Sequence, residues 1–459
     1  MMTKTLQELV DEQVAAHPVP GVAVGMVLDG EVTYATHGVT NIENPLDVDD
    51  KTLFQFGSTG KTYTATAIMM LADQGRVDLE APVRDYLPEF KVADEQAAAT
   101  VRVKNLLNHT AGWSGDFLGT PERGDRALED FVEHMAKLKQ DFPVGAGMSY
   151  NNSALSVAGR IIEVVTGKPF DQAMTEMVLQ PLGMESTFFF AEDVITRRFA
   201  VGHLQDEETK EFSVARPWAL PRGGGPAGGM SAPITDQVTW MKFHLGDGTA
   251  QDGTRILPQE TLDLMKVPAI RTPGSTLGDA IGISWLIQDV DGTQVVGHGG
   301  TTIGQQSALE LVPSRGFGIA VLTNSSGGGD LHRAIVHAAT AEYLGLQWPK
   351  LKATDRPTEA LTEYEGVYRN ISLVSTVTTT KEGLQIDSVP TQDFLDMVGA
   401  PAEAFESPPT PIKMVDEEGD LFVVIEDGSP GYRGSFQRGE DGQVTGMHFG
   451  GRLTLRDPA

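Results

Sequence analysis

Phe56-Gly57-Ser58-Thr59-Gly60-Lys61-Thr62, followed directly by YTATAIMML, is the stretch on which the reading of this chain turns. Gly60-Lys61-Thr62 matches the last three positions of a phosphate-binding loop. That motif also needs a glycine five residues before Gly60, where Gln55 stands, so the backbone cradle for phosphate is incomplete. The alternative is Ser-x-x-Lys at the start of a helix running from Thr59 to about Gln74, stopped by Gly75. That reading puts Lys61 one turn after Ser58 on the same face, with its amine in reach of the hydroxyl. A helix N-terminus offers N–H groups to a developing oxyanion, and a partly desolvated lysine can act as the serine's base.

Alone, this spacing arises by chance about once in a chain of such length. Two companions follow in order. Tyr150-Asn151-Asn152 stands directly before a helical pattern, and His298-Gly299-Gly300 ends the strand-like run TQVVGHGG. A Tyr150 phenol beside Lys61 can shuttle a proton, and the Asn152 amide can orient Lys61 and a substrate carbonyl. Two glycines on a strand admit a substrate backbone, and the Thr301 N–H is expected to complete an oxyanion hole with that of Ser58. Tyr368-Arg369-Asn370 and His448-Phe449-Gly450 repeat the short spacings. They lack the helix start and the double glycine, and read as structural.

Working outward, GVAVGMVLDGEVTYATHG places two apolar runs around Asp29-Gly30, a tight hairpin signal. Strand patterns return between about 282 and 325, and a helix follows at LHRAIVHAATAEYLG, with a helical body in between. An α+β fold is expected, with an antiparallel sheet built from both ends of residues 1–346 and flanked by helices. A polar break, 347–356, leads to residues 357–459, whose short, closely spaced strands predict an all-β barrel or sandwich of about eight strands.

Taken together, the three segments resemble the serine beta-lactamase-like superfamily, which includes class C beta-lactamases, D-Ala-D-Ala carboxypeptidases and D-aminopeptidases. Leu106-Leu107-Asn108-His109-Thr110-Ala111-Gly112 is similar to its LLxHxSG segment, and Ala227-Gly228-Gly229-Met230-Ser231 to its AGG-plus-Ser segment. The resemblance implies Ser58 as acylated nucleophile, Lys61 and Tyr150 as the base pair, and Asn152, His298, Gly299 and Gly300 as substrate-positioning residues. Family beta-lactamases usually carry Lys-Thr-Gly where this chain has His298-Gly299-Gly300. A histidine holds a carboxylate less firmly than an ammonium does, which favours peptide, amide or ester substrates over beta-lactams. Tyr364-Glu365-Gly366-Val367-Tyr368 opens a segment similar to the lipocalin-like barrel of some members. The resemblance implies a domain that caps the active site or bridges subunits, so a homo-oligomer through that barrel is one expectation.

Composition bounds the rest. The 459 residues include no cysteine, which excludes a disulfide scaffold and a thiol nucleophile. The formal net charge of −28 argues against nucleic acid or an anionic membrane surface as partner. Residues 357–459 hold 18 acidic against 7 basic residues, so an acidic field at the cleft is expected if the barrel lies near it. The histidines show no metal spacing, and no metal or cofactor is expected. Gly223–Gly228 fits a dinucleotide pattern formally but follows no strand, so it reads as a loop lining the cleft. His109 reads as a hydrogen-bonded structural histidine. The N-terminus carries acids where a signal peptide needs an apolar core, so a cytoplasmic location and a small-molecule or peptide substrate are expected.

Overall fold

The computed structural model describes residues 4–117, 122, 124–206, 208–398, 401–402, 407–415, 419–426 and 429–458. The chain begins with a helix, Leu6–Ala16, held at its start by a capping box between Thr5 and Glu8. Strands β1 (Gly21–Leu28) and β2 (Glu31–Gly38) follow. Asp29 and Gly30 both take positive φ, 50° and 84°, as the two-residue hairpin requires. Four short strands come next: β3 (Phe54–Gln55), β4 (His203–Gln205), β5 (Phe212–Val214) and β6 (Ser231–Ala232). Then come β7 (Ile270–Ser275), β8 (Gly278–Ile281), β9 (Leu286–Val290), β10 (Thr293–Thr301), β11 (Gln306–Val312) and β12 (Phe317–Thr323).

The long strands form one antiparallel sheet in the order β2-β1-β12-β11-β10-β9-β8-β7. The two ends of the first 346 residues therefore meet at β1 and β12, as the sequence predicts. One face is covered by the helices Leu6–Ala16 and Gly328–Leu344, whose leucines and valines pack on Val22, Val24, Ile319 and Val321. The other face carries the helical body, including Gly60–Asp73, Asn152–Thr166 and Ile234–Leu245. Among the described residues no helix is long and apolar enough to cross a membrane.

The remaining strands close into an eight-stranded antiparallel barrel: β13 (Gly366–Arg369), β14 (Leu373–Thr380), β15 (Gly383–Pro390), β16 (Thr410–Met414), β17 (Leu421–Glu426), β18 (Ser429–Arg438), β19 (Val444–Phe449) and β20 (Arg452–Arg456). Its interior is filled by Tyr364, Tyr368, Phe422 and Phe436. The Tyr368 hydroxyl donates to the Tyr364 carbonyl at 2.7 Å, so the second Tyr-x-Asn serves packing.

Strand β11 alternates between the two faces. Ser307, Leu309 and Leu311 face the helical body, while Glu310 faces the other way. Burial raises the Glu310 carboxyl to about 8. An unfolded glutamate ionises near pH 4.5, so between those values the folded state holds a proton that the unfolded state sheds. Stability is thus lost as pH rises through this window. Glu310→Gln should raise the melting temperature at pH 8.5 and leave it nearly unchanged at pH 5. Scanning calorimetry showing the same increment at both values would refute this account.

Candidate active site

The residues around Ser58 are brought together by a short pairing. Strands β3 and β6 run side by side, so the Phe56–Ser58 and Ala227–Ser231 segments are neighbours. A single 3-10 turn, Gly57–Thr59, then leads into the helix Gly60–Asp73. The helix begins where the Ser-x-x-Lys reading places it. Three glycines from three segments let the backbones converge there. A Cβ at Gly57, which has φ +53°, would lie 2.7 Å from the Thr301 nitrogen. One at Gly228 would lie 2.6 Å from the Gly57 carbonyl carbon, and one at Gly300 only 2.0 Å from the Phe56 oxygen.

Lys61 is fully buried, and its Nζ donates to Ser58 Oγ at 2.9 Å and to the Ala227 carbonyl at 2.6 Å. Burial drives its pKa far below the usual lysine value, and the nearby Arg452 charge pushes in the same direction. Its amine stands one hydrogen bond from the serine hydroxyl, and the lowered pKa favours the uncharged form that can accept a proton. Tyr150 also interacts with the Ser58 side chain. The Tyr150 ring lies 4.8 Å from Lys61 Nζ. Burial raises the phenol above its usual value, while Ser58 and Arg452 oppose that rise.

Tyr150 is fixed from behind by His109. The His109 carbonyl accepts the Ser149 N–H at 3.1 Å, and its Nδ1 accepts the Asn151 N–H at 3.0 Å. The two rings stand 4.5 Å apart. His109 is a hydrogen-bonded structural residue, as its sequence context suggests, and burial keeps it neutral. Asn151 caps the helix Asn152–Thr166 by accepting the Ala154 N–H at 2.8 Å. Trp113 is buried and donates to Ser153.

Asn152 lines the cleft together with Ser58 and Thr301. Its amide is not among the hydrogen-bond partners of Lys61 in the structure. The backbone carbonyl of Ala227 does that work and leaves the amide facing the space a substrate would enter. His298 is buried, its ring centroid 6.0 Å from that of Tyr150, and its Nδ1 bonds the Gly299 carbonyl at 2.6 Å. Burial lowers it to about 3, so at neutral pH it brings no cation to the site. Gly299 is exposed at the end of β10, and Gly300 packs beneath Phe56 and Ser58. Beyond Gly297 the strand has no β9 partner, which leaves 298–301 as an open edge.

The cleft itself holds about 390 Å³. Phe117, Phe131, Leu220, Pro221 and Ile303 give it an apolar wall, and Gly224 and Ala227–Gly229 line it as the glycine run predicts.

The barrel touches this site through a turn that no sequence motif marks. The turn between β19 and β20 docks on the Tyr150 segment: the Gly451 carbonyl accepts the Tyr150 N–H at 2.9 Å, and the Leu453 N–H donates to Ser149 Oγ at 3.3 Å. This sets the Arg452 guanidinium 5.1 Å from the Tyr150 ring. The second His-x-Gly is structural in its own residues, with His448 buried, but it leads directly into this contact. Despite the barrel's acidic composition, the charged group it sets beside the Tyr150 ring is a cation.

A family model described as Beta-lactamase matches residues 6–342. Penicillin-binding protein 4 of Amycolatopsis lactamdurans is 35% identical over 350 residues, covering 76% of this chain and 92% of that protein. Among solved structures, SurE superposes with a TM-score of 0.77 at 25% identity over 98% of both chains. D-amino acid amidase from Ochrobactrum anthropi SV3, complexed with D-phenylalanine, gives 0.61 at 25% identity, covering 74% of this chain and 97% of that one. With the family model spanning most of its length and a relative above 30% identity aligned over three quarters of it, the chain belongs to the beta-lactamase family.

Proposed function

We propose that the protein is a serine acyl hydrolase that forms an acyl-enzyme on Ser58 and acts on amide or peptide bonds. The carrying observation is the fully buried, depressed Lys61 amine, 2.9 Å from Ser58 Oγ. In this reading Ser58 Oγ attacks the carbonyl carbon while Lys61 accepts its proton. The Ser58 and Thr301 N–H groups hold the oxyanion. Tyr150 passes a proton to the leaving nitrogen, the C–N bond breaks, and water then hydrolyses the ester. Asn152, His298, Gly299 and Gly300 position the substrate or the groups around it.

The apolar wall of Phe117, Phe131, Leu220 and Ile303 suits an apolar residue on the acyl side. A neutral His298 supplies no charge to a beta-lactam carboxylate, which favours peptides, amides and then esters. The likeness to a D-amino acid amidase supports testing D-residues first. A fluorophosphonate probe is the direct test, because it needs only the activated serine. The expected result is one adduct, mapped to Ser58 and absent from Ser58→Ala. An unlabelled wild-type protein, beside a serine hydrolase control that labels, would refute the proposal. Labelling without turnover of D- or L-aminoacyl p-nitroanilides would point to a binding protein that acylates once.

A further inference from the structure

The barrel sets the Arg452 guanidinium beside the Lys61–Tyr150 pair. Arg452 opens β20, directly after the tight Gly450-Gly451 turn, where both residues have positive φ. It does not reach Ser58. Its guanidinium lies 5.1 Å from the Tyr150 ring, and its Nε donates to Asp116 Oδ1 at 3.1 Å, with a second contact from Nη2 to the same carboxylate. Asp116 is held in turn by the Ser372 hydroxyl of the barrel at 3.0 Å. The guanidinium is thus clamped by a carboxylate on one side and faces an aromatic ring on the other.

The groups around Lys61 and Tyr150 leave Arg452 a distinct place. His109 and His298 face the pair from the segment after Val103–Leu107 and from β10, and burial keeps both neutral. Asp116, Asp141 and His448 stand around Arg452 itself. Asp141, raised to about 6 by burial, accepts the Ile371 N–H, and His448 is lowered to about 4. Arginine cannot lose its proton in this pH range, whereas each neighbouring histidine is held neutral.

We propose that Arg452 is an electrostatic positioning residue, supplied by the barrel, that keeps the Lys61–Tyr150 pair short of one proton at neutral pH so that Ser58 always meets a free base. A fixed positive charge disfavours the lysine ammonium and favours the phenolate, so both groups shift toward the deprotonated side. Asp116 offsets part of that field, and its carboxylate sets how strong the effect is. The barrel is then part of the catalytic electrostatics, and its −11 formal charge says little about the site. This inference rests on the proposed role of Lys61 and Tyr150.

The test uses the full chain and the pH dependence of Ser58 phosphonylation by a fluorophosphonate. That probe carries no carboxylate, so the readout is separate from any binding of a substrate anion. The acid limb of the rate reports protonation of the base. In Arg452→Gln this limb should move up by about one pH unit, for the loss of a cation beside the Tyr150 ring of the pair. The rate at the wild-type limb should fall by about fivefold to tenfold and recover toward wild type at higher pH. Arg452→Lys should stay close to wild type. Asp116→Asn keeps the hydrogen-bonding shape but removes the offsetting charge, so its limb should move down. Opposite shifts cannot come from a loosened turn. An equal loss at every pH in Arg452→Gln, or shifts of the two variants in the same direction, would overturn the inference. Failure of the wild type to label would instead defeat the proposed function.

Discussion

Replacing Lys61 by methionine should lower the rate of Ser58 acylation by roughly 10²–10⁴-fold, the range ascribed to a positioned general base, while the protein stays folded. The two halves of this expectation come from the same burial. Lys61 is fully enclosed, and its amine has two acceptors, Ser58 Oγ and the Ala227 carbonyl. Methionine is close in length and flexible, so it can occupy the slot without overpacking. Loss of the donor strands a buried carbonyl, at a cost of about 1–3 kcal/mol. Against this, an amine no longer has to be desolvated, a gain of similar order. These effects nearly cancel, so the melting temperature should move by only a few degrees.

The catalytic loss has no such offset. Without the amine the Ser58 hydroxyl keeps its proton, and Tyr150 is a phenol whose burial opposes ionisation. Fluorophosphonate labelling and p-nitroanilide turnover, measured beside calorimetry, give both quantities. A Lys61→Met protein that keeps more than a tenth of the wild-type labelling rate would remove Lys61 from the role of base.

The parts of this site that were legible in the sequence are those carried by side chains at fixed local spacing. Ser58 and Lys61 are one helical turn apart, and Tyr150 and Asn152 bracket a helix start, so geometry follows from secondary structure alone. The sheet was legible for a similar reason, since Asp29-Gly30 fixes one hairpin and the late strand runs fix the other end. What stayed hidden depends on backbone atoms and on domain docking. The second acceptor for Lys61, beside Ser58, is the Ala227 carbonyl, and a carbonyl has no residue-type signature; the sequence points to the Asn152 amide instead. Arg452 lies beyond a polar break and a change in composition, and the resemblance, which allows a capping barrel, points to none of its side chains. The available clue was the Gly450-Gly451-Arg452 run, a tight turn presenting a cation, but nothing in the spacing says where such a turn lands.

The double glycine on β10 gives the second large effect, because its two members are not equivalent. A Cβ at Gly300 would stand 2.0 Å from the Phe56 oxygen, 2.7 Å from the Ser58 nitrogen and 2.8 Å from Ser307 Oγ. Two of these are backbone atoms of the segment that carries Ser58, so neither can swing aside. Ser307 meanwhile donates to the Phe56 carbonyl at 2.7 Å and shares a hydrogen bond with Thr59 at 2.8 Å, which pins the same turn. Gly300→Ala must therefore push β10 and the Phe56–Thr59 turn apart. Overpacking of this kind costs about 1–3 kcal/mol, enough to lower the melting temperature by several degrees. The activity should fall further than the stability suggests. The displaced atoms include the Ser58 N–H and lie next to Thr301, the two donors assigned to the oxyanion, and loss of one such donor costs about 10²–10³-fold. At Gly299 the nearest atom to a new Cβ is the Ser307 oxygen at 3.4 Å, an ordinary contact, and the position is open to solvent. Gly299→Ala should therefore melt within about one degree of wild type and keep its rate of Ser58 labelling. Any change there should show instead in KM for extended substrates that lie along the open edge. If the two alanine variants lose labelling to the same extent, or if Gly299→Ala is the worse of the pair, the packing of Gly300 against Ser58 is not what holds the oxyanion donors in place.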